Sequence, residues 1–349
     1  MTDVEASALR ALAAYPDMQA PKLSVMSGGL LNATYQVDVP RGRFVLQSLN
    51  EIFRPEVNDD IEAITTHLAK KGVPTTRLVR TSNGALSADV DGTCWRVLTF
   101  VAGTKTVSRV QDAAMASEAG ALVGRFHLAV SDLEHTFKFS RLNVHDTQKH
   151  MATLEEAISE HRAHRHFESV QRLAAEILLA WRQWKAKVPE KKRLVHGDLK
   201  ISNVLFDERT SRAICLIDLD TLAYMPLMHE LGDAWRSWCN PIGEDATETR
   251  FDLGLFRAAT NGYMNEARRF VTREEAESLA HGTALIALEL SARFCADALR
   301  ESYFGWNAAK FPDRSTHNRV RAEGQFNLYR SVRAQQADIE RILREAYAG

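Results

Sequence analysis

Cysteine is scarce in this 349-residue chain, and the little there is does not pair by spacing. Cys94, Cys215, Cys239 and Cys295 lie far apart with no C-x-x-C among them. That pattern excludes a disulfide framework or a cysteine zinc site and leads us to expect reduced thiols in a cytoplasmic protein. Long apolar runs are lacking too. No stretch of 18 apolar residues occurs, and Met1 to Ala14 has neither a basic start nor an unbroken apolar segment. No membrane span and no export signal are therefore expected. Charge of one sign is also missing in bulk: 44 Lys plus Arg face 45 Asp plus Glu, which argues against a protein that coats nucleic acid or an anionic membrane. There is no internal repeat and no low-complexity tract. What remains is a globular chain of a length that favours two domains or lobes.

The character of the chain changes along its length. Thr34-Tyr-Gln-Val-Asp-Val39 alternates, Pro40-Arg-Gly42 turns, and Arg43 to Leu49 continues as a second strand. Ile61, Ile64 and Leu68 then mark a helix over 58–71. A hairpin is expected over Ala85–Val90 and Cys94–Val101, turning at Asp91-Gly92. Beyond Gly103 the pattern is helical over 112–128, where Met115, Ala119, Leu122, Val123 and Phe126 share a face, and again over 150–187, 250–300 and 322–346. One β-rich insertion, 193–221, interrupts it. The fold class is thus α+β, with a small β-rich N-lobe over 1–101 and a larger helical C-lobe over 102–349, joined near Phe100–Gly103.

The chemistry concentrates in Leu194-Val-His-Gly-Asp-Leu-Lys-Ile-Ser-Asn-Val-Leu-Phe-Asp207 and Ala213-Ile-Cys-Leu-Ile-Asp-Leu-Asp220. Two apolar strands flank the polar turn Glu208-Arg-Thr-Ser-Arg212, and a hairpin centred there sets residue 203 across from residue 217. Asn203 and Asp218 then sit side by side, with Asp198 on the loop just before. An amide oxygen and a carboxylate are suitable hard ligands for Mg²⁺, and a further carboxylate can orient a hydroxyl and accept its proton. The spacing His196-x-Asp198-Leu-x-x-x-Asn203 matches the kinase pattern H-R-D-L-x-x-x-N, with Gly197 in place of Arg. Asp218, 15 residues on, falls where the D-F-G aspartate would be. A polar hairpin with acidic residues at its mouth would account for any one of these features. Their order behind a β-rich lobe points instead to phosphoryl transfer. Upstream, Ser27-Gly-Gly-Leu-Leu-Asn-Ala-Thr34 is a glycine turn whose backbone N–H groups can approach phosphates.

These segments resemble the aminoglycoside phosphotransferase/choline kinase-like superfamily of small-molecule kinases, and within it most nearly the N-acetylhexosamine 1-kinase branch. The resemblance also rests on Leu31-Asn-Ala-Thr-Tyr35, Phe44-Val-Leu-Gln-Ser-Leu-Asn50, Trp95-Arg-Val97, Leu231-Gly-Asp-Ala-Trp-Arg236 and Ser302-Tyr-Phe304, in family order. It implies a two-lobed protein-kinase-like fold using ATP and Mg²⁺. Asp198 would be the catalytic base, with Lys200 reaching the γ-phosphate, and Asn203 and Asp218 would hold Mg²⁺. Ser27, Gly28, Gly29, Asn32, Thr34 and Gln47 would line the nucleotide, with Phe100 and Val101 in an adenine-binding hinge. His196 and Asp233 would brace the catalytic loop, and Asp220, Arg293 and Tyr303 would approach the acceptor.

Two departures qualify the resemblance. Gln47 stands where kinases carry a phosphate-binding lysine, as it does in the sugar 1-kinase branch, and Leu30 stands where that branch has a sugar-holding histidine. The leading acceptor is the anomeric hydroxyl of a sugar or amino sugar. An aminoglycoside or an amino alcohol such as choline, ethanolamine or homoserine is the alternative. From Glu230 onward 18 acidic residues face 16 basic ones, with none of the acidic bias a polycation would need. A nucleotide-binding pseudokinase, supported only by Gln47, is the third reading. Two other motifs are read as structural: His161, His164 and His166 as a solvated helical face, and Trp235 and Trp238 as packing beneath the active site. Oligomeric state is not readable.

Overall fold

A computed structural model describes residues 3–26, 32–141 and 144–349. They form two compact units, each described in turn. The first comprises the chain up to Thr106 with Ala129–Arg141 and Ser202–Ala223; the second comprises Val107–Leu128, Leu142–Ile201 and Tyr224–Gly349. The hairpin that sequence order assigned to the C-lobe thus groups with the first unit.

The first unit carries helix α1 (Asp3–Leu12), strands β1 (Lys22–Val25), β2 (Thr34–Val39) and β3 (Gly42–Ser48), helix α2 (Val57–Lys70), and strands β4 (Leu78–Val79), β5 (Ala88–Val90), β6 (Thr93–Thr99) and β7 (Thr104–Lys105). The sheet runs β1-β2-β3-β6-β4, with β5 also paired to β6. Period-two alternation decides its faces. Tyr35, Val37, Phe44, Leu46, Trp95 and Val97 point to one side and pack on Ala8, Ala11 and Leu12 of α1. Thr34, Gln47 and Arg96, directly paired across β2, β3 and β6, lie on the other. Asp91 (φ +54°) and Gly92 (φ +78°) make the tight turn expected between β5 and β6. The hairpin strands β8 (Val204–Asp207) and β9 (Ala213–Leu216) join β7 in a second sheet, ordered β9-β8-β7.

The second unit is helical: α3 (Ala113–Val130), α4 (Thr147–Glu160), α5 (Phe167–Arg182), α6 (Leu227–Trp238), α7 (Leu253–Ala267), α8 (Arg273–Arg300), α9 (Arg314–Ala334) and α10 (Gln336–Ala348). Side-chain caps start several of them. Asp146, Asp252 and Asp313 accept first-turn N–H groups, and Thr272 with Glu275 forms a capping box at α8. Helix α8 is the hub, buried along most of its length. Its Ile286, Phe294 and Leu299 pack with α4, α5 and α9. Helix α6 crosses it where two glycines meet: a methyl added to Gly232 would lie 2.6 Å from the Gly282 carbonyl carbon. The single helical pattern over 150–187 is two helices, broken at 161–166. No described helix is long and apolar enough to cross a membrane.

Candidate active site

In the second unit a short strand, Arg193–Val195, delivers the catalytic loop. Gly197 has φ +84°, a left-handed backbone that glycine adopts without a Cβ clash, so the chain turns sharply between His196 and Asp198. Helix α6 holds that turn by its main chain. The buried Glu230 carboxylate accepts the N–H groups of His196 and Gly197, each at 2.9 Å. Two turns on, Trp238 Nε1 donates to the Leu199 carbonyl at 2.7 Å, and Ser237 Oγ accepts from Ile201 N–H at 3.3 Å. His196 is itself buried, and its Nδ1 accepts the Asp198 N–H at 3.3 Å. Asp198 is left 30% exposed with Lys200 Nζ 2.8 Å from its Oδ2, so the carboxylate faces solvent with a cation beside it.

Asp233, expected to brace the loop, accepts from Arg236 Nε at 2.9 Å. Burial opposes the Arg236 charge, but Asp233, Glu244 and Asp198 outweigh it and hold its pKa above the ordinary arginine value. The carboxylate that grips the loop backbone is Glu230, a residue the motif search did not flag. Its signal was available: a glutamate inside the apolar run Leu227-Met-His-Glu-Leu231 is buried only when its oxygens have donors.

In the first unit, Leu216 pairs with Val204 and Ile217 N–H donates to the Asn203 carbonyl at 3.0 Å, the register expected of the hairpin. Asn203 is buried at the start of β8. Asp218 takes φ +65° and ψ +56°, a conformation that Asp tolerates better than most residues and that concentrates at functional sites. Asn203 and Asp218 thus flank the same rung, and both offer the hard oxygen donors that suit Mg²⁺.

The left-handed turn at Asp218 leads into a 3-10 turn, Leu219–Thr221, that sets Asp220 against Arg96. Asp220, expected at the acceptor, is 3% exposed and takes Arg96 Nη1 and Nη2 at 2.5 and 2.9 Å. Arg96 also donates to Gln47 Oε1, from Nη2 at 2.9 Å and Nε at 3.2 Å. Asn32 joins the same group: its Nδ2 donates to Asp220 and its Oδ1 accepts Asn50 N–H. Thr34 Oγ1 lies 3.4 Å from Gln47 Nε2. No role is expected of Arg96 from the motifs, yet a lone arginine between Trp95 and Val97 in a strand is the sign of a buried charge pair. Near the expected hinge, Arg43 stacks 5.0 Å over Phe100, Thr104 Oγ1 donates to the Val101 carbonyl at 2.7 Å, and Gly103 turns the chain at φ +71°. Ser27, Gly28 and Gly29 lie outside the described residues.

Arg293 and Tyr303, both in the second unit, are brought together. The Arg293 guanidinium is 5.8 Å from the Tyr303 ring centre and 5.5 Å from that of Phe304. Beneath it is the buried Glu289, 3.8 Å away, which also accepts from Thr147 Oγ1 at 2.6 Å and binds His145 Nδ1 at 3.0 Å. Burial would raise the Glu289 pKa, but His145 overrides it and brings it down to about 2. Burial likewise opposes the His145 charge, and Glu289 overcomes that to raise the His145 pKa.

Two structural readings change in detail. His161, His164 and His166 do not ride on a helix; they form the break between α4 and α5, where His164 meets Glu301 at 3.1 Å and His166 accepts from Arg319. Trp235 and Trp238 are buried, Trp235 edge-on to Phe256, which leaves neither face open for stacking on a ligand.

Residues 22–270 match the model of the phosphotransferase enzyme family that includes the aminoglycoside phosphotransferases, so the chain belongs to that family and is a small-molecule kinase. A homoserine kinase from Methylobacillus flagellatus is 24% identical over 284 residues, covering 81% of this chain and 80% of that one. Among solved structures, an aminopropanol kinase associated with a microcompartment aligns with a TM-score of 0.62 at 16% identity, over 97% of this chain and 99% of its own. An amicoumacin kinase in complex with AMP-PNP and Ca²⁺ aligns with a TM-score of 0.60 at 15% identity, over 92% and 93%. The mixed α+β fold, with a sheet in the N-terminal region and helices in the C-terminal region, is thus that of the kinase-like proteins.

Proposed function

We propose that this kinase transfers the γ-phosphate of ATP to the anomeric hydroxyl of a free sugar or amino sugar. Asp198 orients the acceptor hydroxyl and takes its proton as the bond to phosphorus forms, and Lys200 offsets the charge that gathers on the transferred group. Asn203 and Asp218 would hold Mg²⁺, which would supply the positive charge that the phosphate oxygens need. Asn32, Thr34, Gln47 and the Ser27-Gly28-Gly29 turn bind the phosphates, and Phe100 and Val101 border the adenine. The loop clamp at Glu230 keeps Asp198 in place through the main chain of the loop.

One observation carries the choice of acceptor. Arg293 lies beside the Tyr303 ring, and that ring is 54% exposed. A cation over a solvent-exposed tyrosine repels an ammonium group and suits a neutral polyhydroxylated ring, which can pack on aromatic surface and hydrogen-bond at once. A second reading has its own support in the likeness to a homoserine kinase. There Arg293 would pair with the carboxylate of an amino-acid alcohol.

ADP release with Mg²⁺·ATP decides between them, across N-acetylhexosamines, neutral hexoses, homoserine, ethanolamine, choline and aminoglycosides. Turnover with a sugar, reduced by Arg293→Met chiefly through a higher acceptor KM, is the expected result. Turnover confined to homoserine or another amino alcohol would replace the sugar reading.

A further inference from the structure

The first unit contains a charged device that the reaction scheme above leaves unused. Gln47, on β3, faces the same side of the sheet as its paired neighbours Thr34 on β2 and Arg96 on β6. Arg96 is 1% exposed, and its guanidinium spans two partners, the Asp220 carboxylate on one side and the Gln47 amide oxygen on the other. A guanidinium has donors only, so the group it meets on Gln47 has to be the oxygen. The amide nitrogen must then point the other way, toward Thr34 Oγ1 and the strand that follows the glycine turn. The Asn58 amide oxygen on α2 accepts a further Arg96 N–H at 3.3 Å.

Burial disfavours the Arg96 charge, but Asp220 and then Asp218 overcome the penalty, so the cation persists inside the unit. Asp220 is tied in turn to Asn32, two residues ahead of β2. The device therefore touches the rung beside Asp218, the strand that carries Gln47 and the segment that leads into β2.

We infer that Arg96, clamped by Asp220, is the positioning residue that fixes Gln47 as a hydrogen-bond donor to the nucleotide phosphates, supplying from β6 the positive charge that β3 lacks. In most kinases a β3 lysine brings that charge to the phosphates directly. Here the charge is set one strand over. It pulls on the amide oxygen, which strengthens the donation from the amide nitrogen by the cooperativity of linked hydrogen bonds. A neutral donor held this way needs no carboxylate of its own on α2. The place where α2 meets the cation is filled by the amide of Asn58. The inference rests on the reading of Gln47 as a phosphate contact.

The deciding variant is Gln47→Glu, because Arg96→Lys breaks a buried pair and threatens the fold. Glutamate has the same shape, and its oxygens suit Arg96 at least as well, so the melting temperature should hold or rise. It has no N–H to offer, and it turns an anionic oxygen toward the phosphates. Titration calorimetry with Mg²⁺·AMP-PNP should give a Kd raised about 10- to 100-fold, as expected for a lost donor plus like-charge repulsion, while the acceptor KM stays unchanged. In Arg96→Lys, which keeps the charge but loses the two-pronged grip, the same Kd should rise about 10-fold. A Gln47→Glu protein that binds Mg²⁺·AMP-PNP as tightly as the parent would overturn the inference and leave Arg96–Asp220 as a staple of the fold. Parent protein that fails to bind the nucleotide at all would instead overturn the underlying reading of this face.

Discussion

In the second unit the catalytic loop hangs from α6 by its main chain, whereas in the first unit the residues around Gln47 are ordered by charged side chains. Glu230 binds two backbone N–H groups and Trp238 binds a backbone carbonyl, contacts indifferent to which side chains the loop carries. Arg96 binds Asp220, Gln47 and Asn58, contacts that depend on each partner side chain offering an oxygen there. The difference follows from what each must present. In the proposed roles Asp198 has to meet a substrate, so its loop is held by the main chain. In the same proposal Gln47 has to present its NH₂ end, and the donor-only Arg96 guanidinium selects that end by taking the amide oxygen.

The comparison is sharpened most by removing one acid from each unit. Asp198→Asn should lower kcat about 10²- to 10⁴-fold, the range for loss of a positioned base, with the Kd for Mg²⁺·AMP-PNP nearly unchanged. Asp218→Ala should instead abolish the Mg²⁺ dependence of nucleotide binding, read by calorimetry with and without the metal. If Asp198→Asn weakened nucleotide binding and left kcat intact, the division of labour would be reversed.

A smaller effect tests the loop clamp. Glu230→Gln keeps the shape but turns one acceptor into an NH₂ facing a backbone N–H. One charge-assisted hydrogen bond is lost and one buried donor stranded, a cost of about 2–3 kcal/mol in urea unfolding. Turnover should fall with it, because the loop that carries Asp198 loosens, and nucleotide affinity should not. A Glu230→Gln protein with parental kcat and parental stability would show that the clamp is redundant.

The hairpin around residue 210 was legible because two signals coincided, apolar strands and a five-residue polar turn, and its register put Asn203 opposite Ile217 as expected. The Asp91-Gly92 turn was legible for the same local reason. What escaped was long-range. Nothing within a few residues of Arg96 tells that its carboxylate lies 124 positions on, and Asp220 read as a ligand for substrate because an aspartate beside a metal-binding motif has no local mark of burial. The grouping of residues 202–223 with the first unit was hidden likewise. It depends on β8 adding to β7, a two-residue strand too short to announce itself. The break at 161–166 was missed because it contains no Gly or Pro; there the chain stops on side-chain contacts made to Glu301 and Arg319.

The smallest effect separates the units by pH. Arg96 remains charged throughout the neutral range, so the first unit has no switch at that site, but the second unit sets two histidines of opposite habit, His229 and His145, side by side. Their rings lie 5.3 Å apart. His229 Nε2 has no hydrogen-bond partner among the described residues, and burial, aided by the nearby His145 charge, lowers the His229 pKa to about 4. Between the unfolded value near 6.5 and about 4, the unfolded chain binds a proton that the folded one refuses, so stability falls as pH drops through that window. The loss between pH 7 and pH 5 should be about 2 kcal/mol. His145, raised by Glu289, has the opposite sign: its contribution is complete below about 6.5 and is lost as pH rises through its folded value. Replacing His229 by asparagine should therefore lessen the decline between pH 7 and pH 5 in urea unfolding by about that amount and leave the alkaline decline in place. At each pH the Kd for Mg²⁺·AMP-PNP should be the same in His229→Asn as in the parent, because His229 is not among the proposed nucleotide contacts. An acid decline as steep in His229→Asn as in the parent would place the titrating group elsewhere.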